Sequence, residues 1–535
     1  MGNGICTITT NTWKARTEMK KRLFAILLVF ALVFSLAACN KSSNNAGGSP
    51  APGNSPAAPG KKVEVTAALG VIPNSLDPCS EDTNITLSLC FHIYDKLFEL
   101  DPVTYKRIPG VAKSFKEIDS MNWEFEIDLS LKFQNGDSLT MEDVVYSIDR
   151  LKSIPKSSDT GKQIKSITYD GNILKLSATE NNSAIIPRAV AMAPIVSKAY
   201  IESGGDDAVY KKPIGTGPYR CVEFTPGASL TIETWDGYVG PKPQIDIIHW
   251  VLIPEAAGRY IAVESGQVQY AGLVTRMEMD LAEKNPNVNT IQGISNRMLG
   301  LEFNCEKAPF DRTNVRRGIL HAFDRENFCK LQGGRPPIKG ALFCGFDEYY
   351  IDPPGLPEYD MAKAKELLEA EGISPANPID CVIIYFPQNN DPGLEMFKTS
   401  LATLGINLIL DLIEFSVYLQ REAFGEFDMI FTSQPNRGGH PMTDLDRLDE
   451  DFIGTRCHPR FHNQEYQRLI KLLRASTDYE EQKKLILEIK TLYGHEAPIA
   501  GVYLTPILCV MSKGLTGVTV RADMIQSFRF ATYTG

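Results

Sequence analysis

Arg437 and His440 flank the pair Gly438-Gly439. A guanidinium pairs with a carboxylate or another anion through two parallel N–H donors, and an imidazole beside it adds a further polar contact. The same two side chains in a solvated loop would hold nothing, and both readings stand. His440 by itself is no metal site, because transition metals need several converging ligands. His458 and His462 are four apart, but Pro459 between them disfavours a helix, so both are read as surface residues. No Cys/His spacing suggests zinc, and neither a metal nor a cofactor is expected. A nucleophile elbow, a HExxH helix and a phosphate-binding loop are all missing. Ser153-Ile-Pro-Lys156 has a Ser-x-x-Lys spacing, but Ser-Asp-Asn and Lys-Thr-Gly partners do not accompany it. It is read as chance, no catalytic residue is assigned, and the chain is not expected to be an enzyme.

A covalent chemistry is indicated near the start. Met19-Lys20-Lys21-Arg22 is basic, residues 23–38 carry no charge, and the run closes on Leu36-Ala37-Ala38-Cys39. A basic opening, a short apolar segment and small residues before a cut site make a secretory signal. Sixteen residues are marginal for a hydrocarbon core of ~30 Å. Leu-Ala-Ala-Cys resembles the bacterial lipobox, whose cysteine is lipidated and becomes the new N-terminus. Residues 1–38 are therefore expected to be a signal peptide, with Met19 a candidate true start, and Cys39 a lipidation site. Residues 39–60 are rich in Ser, Asn, Gly, Ala and Pro and read as a flexible tether with a reach of roughly 25 Å. The expected location is outside the cytoplasm, with the lipid on Cys39 holding the protein to the cell membrane.

Composition narrows the partners. The formal charge is −10, and residues 1–38 carry five basic side chains and one acidic one, which leaves −14 for the rest. An acidic chain without a basic cluster is not built for nucleic acid or for an anionic lipid surface. Of eleven cysteines, nine remain beyond Cys6 and Cys39. An exported protein can form disulfides; Cys79–Cys90 and Cys329–Cys344 are the candidate pairs, and the others read as small core residues.

The elements that must position these residues form a mixed pattern. Strands are expected over Val63–Leu69, Trp123–Leu129, Ile173–Leu176, Leu230–Thr234, Ile245–Ile253, Cys381–Phe386 and Ile406–Leu412. Pro498–Met511 reads as a buried strand interrupted by Pro506. Thr140 is a candidate helix cap with Asp143 three residues on. Further helices are expected over Asn314–Phe323, Ala362–Glu371, Leu394–Leu404, Tyr466–Arg474 and Glu480–Tyr493. Gly215, Gly217 and Pro218 read as a tight turn in which glycine supplies backbone freedom, and Asn135-Gly136 as a second turn. No internal repeat is visible, and the class is α/β in a mixed α+β arrangement.

A series of motifs runs along this frame. It comprises Ser75-Leu-Asp-Pro78, Tyr94-Asp-Lys-Leu-Phe98, Trp123-Glu-Phe-Glu-Ile127, Leu131-Lys-Phe-Gln-Asn-Gly-Asp137 and Glu142-Asp-Val-Val-Tyr-Ser147. It continues with Pro213-Ile-Gly-Thr-Gly-Pro-Tyr219, Phe303-Asn304, Pro309-Phe-Asp311, Val315-Arg316, Ala322-Phe-Asp-Arg325, Gly425-Glu-Phe-Asp428 and Ala497-Pro498. In this order the chain resembles the extracellular solute-binding proteins of peptide/nickel-type ABC importers, family 5. The resemblance implies a two-lobed periplasmic-binding-protein-like fold with an additional inserted subdomain. Lobe one would use residues 61–98, 211–309 and 505–535, the insert 99–210, and lobe two 310–504. It implies a monomeric receptor that captures an oligopeptide or related small solute and delivers it to ABC permease subunits. A sensor or adhesion lipoprotein with the same fold, or a binder of a nickel chelate or another non-peptide solute, remains the alternative.

The resemblance also places a cleft. It implies contacts from Asn74, Ser75 and Leu76, from Gln388 and Asn389 after a lobe-two strand, and from Gln434, Asn436, Arg437 and His440. Dipeptide-type members carry an arginine in the 386–392 loop and an aspartate after the strand ending near residue 431. Neither is present here before Asp444, so a peptide amine would lack its carboxylate, a costly omission in a buried site.

Overall fold

The computed structural model describes residues 62–535 except 82, 102–105, 205–209, 332–336, 339–354, 388–391, 436–444, 446–448 and 456. The expected signal, Cys39 and the expected tether lie outside the described residues. Sixteen strands are used below. They are β1 Glu64–Leu69, β2 Phe98–Leu100, β3 Arg107–Pro109, β4 Ala112–Glu117, β5 Asn122–Ile127, β6 Ile164–Asp170, β7 Ile173–Ala178 and β8 Tyr219–Thr225. There follow β9 Ser229–Thr234, β10 Ile247–Leu252, β11 Tyr270–Ala271, β12 Val288–Phe303, β13 Ile379–Tyr385, β14 Ile406–Leu412, β15 Met429–Pro435 and β16 Ile499–Ser512. Ten of them share one mixed sheet in the order β14-β13-β15-β12-β16-β11-β1-β10-β9-β8. The class read from the sequence is the class observed.

Two strands carry the chain from one half of this sheet to the other. β12 and β16 are antiparallel from Val288 opposite Ser512 to Glu302 opposite Ile499. Their register shifts between Ile294 and Met298, where Pro506 lies opposite Ile294. Proline has no N–H to give a ladder and is tolerated at such a break. On one side of this waist Ile507, Cys509 and Met511 join a core with Val65, Leu69, Trp250 and Tyr270. On the other, Leu299, Leu301 and Phe303 join a larger core with Val315, Phe323, Ile383, Phe431 and Ile489. A third core lies under the separate sheet β4-β5-β7-β6. There β5 alternates half-buried and buried positions, as its sequence period requires. Among the described residues no helix is long and apolar enough to cross a membrane.

The motifs prove to be cross-links between distant segments. The Asp77 carboxylate is fully buried and receives both Nη atoms of Arg150, at 3.2 and 2.9 Å. Arg150 follows helix Met141–Asp149, whose Thr140/Asp143 capping box forms as expected. Gln134 donates to the carbonyls of Ile93 (2.7 Å) and Tyr219 (2.7 Å) and accepts from Gly215 N–H (2.9 Å). Asn304 donates to the carbonyls of Gly425 (3.0 Å) and Phe427 (3.2 Å), joining two further motifs. Arg316 is buried and donates to the carbonyls of Phe310 and Glu496 at 2.8 and 2.7 Å. The Glu496 carbonyl lies at the end of helix Tyr479–Glu496, where backbone acceptors lack helical partners.

Three expectations are corrected. Gly215 and Gly217 are not among the residues with left-handed backbone. Their reason is close approach: a Cβ at Gly215 would lie 2.3 Å from the Ile93 carbonyl oxygen, and one at Gly217 2.7 Å. Gly136, by contrast, does have φ +93°. Cys79 and Cys90 are free thiols rather than a pair. Cys79 Sγ donates to Met192 O at 3.5 Å and Cys90 Sγ to Leu76 O at 3.1 Å, and burial pushes both thiols up. Cys329 donates to Val502 O at 3.7 Å, and Cys344 lies outside the described residues. His458, read as a surface residue, is buried, with Nδ1 3.2 Å from Glu302 Oε2 and 3.3 Å from Glu422 Oε1. His462 is exposed, and bonds first to Glu306 and then to Glu450 raise its pKa.

Candidate functional site

Strand direction points to a candidate site. In one half of the sheet β10, β1 and β11 are parallel. β11 meets β16 at Met511 and Val510, and the chain continues so that Val274 N–H bonds Leu508 O at 2.8 Å, progressing toward Pro506. In the other half β14, β13 and β15 are parallel. β15 runs along β12 from Phe303 and ends with Pro435 opposite Arg297. The carboxyl ends of both parallel sets therefore approach the β12–β16 waist from opposite sides. Ligands of open α/β sheets bind at such carboxyl ends, where the strand order switches.

Arg259 organises the lobe-one edge. This buried guanidinium donates to the carbonyls of Ile253 (2.8 Å) and Pro254 (2.6 Å) after β10 and of Gly272 (3.1 Å) and Leu273 (2.9 Å) after β11. It thus straddles the end of β1, where Gly70 has no side chain; a Cβ there would lie 2.9 Å from Arg259 Nη1. Nothing in the spacing of Arg259 signals this role, because its acceptors are backbone groups.

The waist itself is pinned by hydrogen bonds. Ser295 is buried, donates from Oγ to Thr505 O at 2.7 Å and accepts from Arg297 N–H at 3.2 Å. Asn296 N–H bonds Ala522 O at 2.8 Å. The Arg297 side chain is half-buried, and its Nε donates to Ser433 Oγ on β15 at 2.9 Å. Past the end of β13, Phe386 meets Phe415 and Tyr418 edge-on, each with ring centroids 4.9 Å away. Phe415, at the start of helix Phe415–Phe424, is exposed and stacks at 6.3 Å on Tyr418. Tyr418 donates to Glu422 at 2.8 Å, and burial raises its pKa. An aromatic wall and a guanidinium thus stand near the carboxyl ends of β13 and β15.

Of the residues expected at the cleft, Asn74, Ser75 and Leu76 follow β1 and are described. Asn74 is exposed, beside the β8–β9 turn whose Gly227 N–H bonds Pro73 O at 3.0 Å. Ser75 Oγ accepts from Asp77 N–H at 3.0 Å, bracing the turn. Leu76 is wholly buried in the lobe-one core. Gln434 is the penultimate residue of β15, opposite Met298. Gln388, Asn389, Asn436, Arg437 and His440 lie outside the described residues. Sequence reasoning missed Arg297, Ser433 and the Phe386–Phe415 pair. Arg297 carries a signal only once β12 is seen to cross between lobes. Among the described residues no group of three or more His, Cys, Asp and Glu could hold a metal ion.

Known proteins share the sequence pattern and the fold. Residues 106–454 match the model of the bacterial extracellular solute-binding proteins, family 5 Middle. The dipeptide-binding protein of Escherichia coli K12 is 22% identical over 476 residues, covering 80% of this chain and 86% of its own. The dipeptide binding protein from Pseudoalteromonas sp. SM9913, solved in complex with Met-Leu, superposes with a TM-score of 0.74 at 17% identity, covering 88% of this chain and all of that one. NikA from Brucella suis, solved in complex with Fe(III)-EDTA, gives a TM-score of 0.78 at 20% identity over the same shares.

Proposed function

This chain belongs to the bacterial extracellular solute-binding proteins of family 5, and we propose that it captures a small, peptide-like solute between two lobes and delivers it to an ABC permease. The observation that carries the reading is the waist. Two sets of parallel strands direct their carboxyl ends at two long strands that connect the lobes. Rotation about such connections closes the lobes on a ligand that binds the closed state better, a population shift.

The finer parts of the proposal rest on the sequence. Residues 1–38 direct export, Cys39 carries the lipid, and 39–60 tether the receptor near its permease. Lobe one comprises 61–98, 211–309 and 505–535, lobe two 310–504, and 99–210 form the insert; the separate core under β4–β7 supports the last of these. Asn74, Ser75, Gln388, Asn389, Gln434, Asn436, Arg437 and His440 are the proposed ligand contacts, while Leu76, wholly buried, packs beneath its own turn. The protein acts as a monomer and catalyses no reaction. A non-peptide solute is the second reading, supported by the fold likeness to a protein solved with a metal chelate.

Native mass spectrometry of the full chain purified from its source tests the reading, together with a thermal-shift screen of peptides and metal chelates. A ligand bound well above its Kd raises stability by roughly 3–4 kcal/mol. A co-purified solute of either class identifies the cargo. Protein that carries no solute and melts at one temperature with every probe would refute the receptor function.

A further inference from the structure

We propose that the turn at residues 182–184 is a releasable latch between the proposed insert and the proposed lobe two, and that its seating sets how readily the lobes rotate about the waist. The inference rests on the two-lobe reading and adds a contact that lobe rotation must break. The path of the chain is the first observation. Residues 184–196 enter three separate cores. Ala184 lies in the large core with Leu469, Leu473 and Ile489. Ile186 and Val190, on helix Ile185–Met192, lie in the core under β4–β7. Val196 lies in the core of Val65 and Trp250, across the waist from the first. The two ends of this stretch are held unequally. Past the helix, Met192 O accepts from Cys79 Sγ at 3.5 Å and Ile195 N–H bonds Asp95 O at 3.0 Å. The buried Asp77–Arg150 pair and the Gln134 bonds to Ile93 and Tyr219 fasten the same body to the loop and helix after β1. Before the helix, Ser183 N–H donates to Arg474 O at 2.9 Å and Ala184 buries its methyl group. Arg474 lies in the last turn of helix Gln464–Ala475, where carbonyls lack helical partners and are readily solvated. One neutral hydrogen bond and one methyl are a small contact beside a buried, doubly bonded ion pair, so this is the end that lets go.

The seated turn also leaves a polar group dry. Ser183 is 3% exposed, and its Oγ has no hydrogen-bond partner among the described residues. Gln482 donates from Nε2 to Ser476 O at 2.6 Å, just past Arg474, and its buried Oε1 is in the same condition. A buried polar atom without a partner favours any arrangement that lets water reach it. The turn is braced from within: Asn182 Oδ1 accepts from Ala184 N–H at 3.1 Å and Asn182 O from Ile185 N–H at 3.2 Å. It therefore leaves and returns as a unit. A solute that prefers a rotated arrangement binds at a cost set by this contact.

The test uses the full chain with no solute added, and reads hydrogen exchange and small-angle X-ray scattering. In wild type, peptides covering residues 181–185 should exchange about tenfold or more faster than those of β5 and β12, because the latch opens while the cores on both sides stay folded. Ser183→Ala keeps the backbone bond and removes the unpartnered hydroxyl, so it should slow that exchange about fivefold or more. Ala184→Asp sets a charge against the apolar seat, so it should quicken the exchange about tenfold or more. The distance distribution from scattering should differ between the two variants, a change that a merely local packing role would not produce. Exchange at 181–185 as slow as in β5 and β12, or one scattering curve for both variants, overturns the latch. Should A184D fail to fold, S183A against wild type decides, and unchanged exchange there overturns it. No solute enters the test, so the receptor function stands or falls separately, on the co-purification and thermal-shift measurements.

Discussion

Asp77 and Arg150 are joined by two parallel hydrogen bonds, both side chains almost entirely out of water. The contact fastens the loop after β1 to the end of helix Met141–Asp149. Asp77 also accepts from Cys79 N–H at 3.0 Å, so one carboxylate shapes its own turn and holds a distant helix. Removing one side chain takes away the other's buried ion-pair partner, at a cost of about 3–5 kcal/mol. Asp77→Ala and Arg150→Ala should each destabilise by that amount in urea denaturation. The double variant should lose clearly less than the sum, since it strands no charge.

Glycines 136, 215 and 217 should respond differently to alanine. A Cβ at Gly215 or Gly217 meets the Ile93 backbone at 2.3–2.7 Å, so Gly217→Ala should cost about 2–3 kcal/mol and displace the 213–219 segment from helix Asn84–Ile93. At Gly136 nothing lies within 4 Å, and the cost of Gly136→Ala comes from its φ of +93° alone, about 1–2 kcal/mol. Denaturation midpoints for the two variants measure the contrast, and hydrogen exchange at the Ile93 and Gly217 amides should rise only in Gly217→Ala.

Stability should fall with acid below neutral pH, partly through His92. Its Nδ1–H donates to Ser88 O at 2.8 Å and its Nε2 accepts from Phe528 N–H at 3.0 Å, which requires the neutral ring. Burial, and then the nearby Arg529 charge, lowers its pKa to about 3. The unfolded chain, with a histidine pKa of ~6.5, binds the extra proton across the window between those values. The stabilisation is complete above ~6.5 and is lost as pH falls toward 3, by about 1.4 kcal/mol per unit for this one group. Urea titrations between pH 4.5 and 7.5 should show a shallower slope for His92→Gln than for wild type.

Arg259→Lys should loosen the lobe-one edge. Lysine cannot reach four carbonyls on two loops at once, and at least two acceptors lose their charged donor. A loss of about 2–4 kcal/mol is expected from denaturation. Ligand affinity should drop as well, because the ends of β10, β1 and β11 form one rim of the proposed cleft.

Local pattern explains what could be read in advance. β5 was visible because Trp123, Phe125 and Ile127 alternate with polar residues, and β14 matched residue for residue. Helix Asn84–Ile93 was not visible: Thr86, Ser88 and His92 occupy its core face and erase the apolar period. Those polar groups are tolerated because each is hydrogen-bonded, Ser88 Oγ to Asn84 O and His92 on both ring nitrogens. His458 was misjudged for the same reason. A proline-flanked histidine looks solvated until Glu302 and Glu422 are brought to it from two other segments.

The sequence by itself determined the class, the ordered motifs and the Thr140 helix cap, because each of these is encoded within a few neighbouring residues. It also showed that residues 386–392 contain no arginine. Only the tertiary structure decided why the motifs have their residues. Asp77 meets Arg150 across 73 positions, Asn304 meets Gly425 across 121, and Gly215 yields to the Ile93 carbonyl by close approach rather than by backbone freedom. It likewise decided that β12 crosses between the lobes and lays Arg297 against Ser433. A hydrogen bond acts over about 3 Å in space and carries no trace of its partner along the chain, so its meaning appears only when the sheet is assembled.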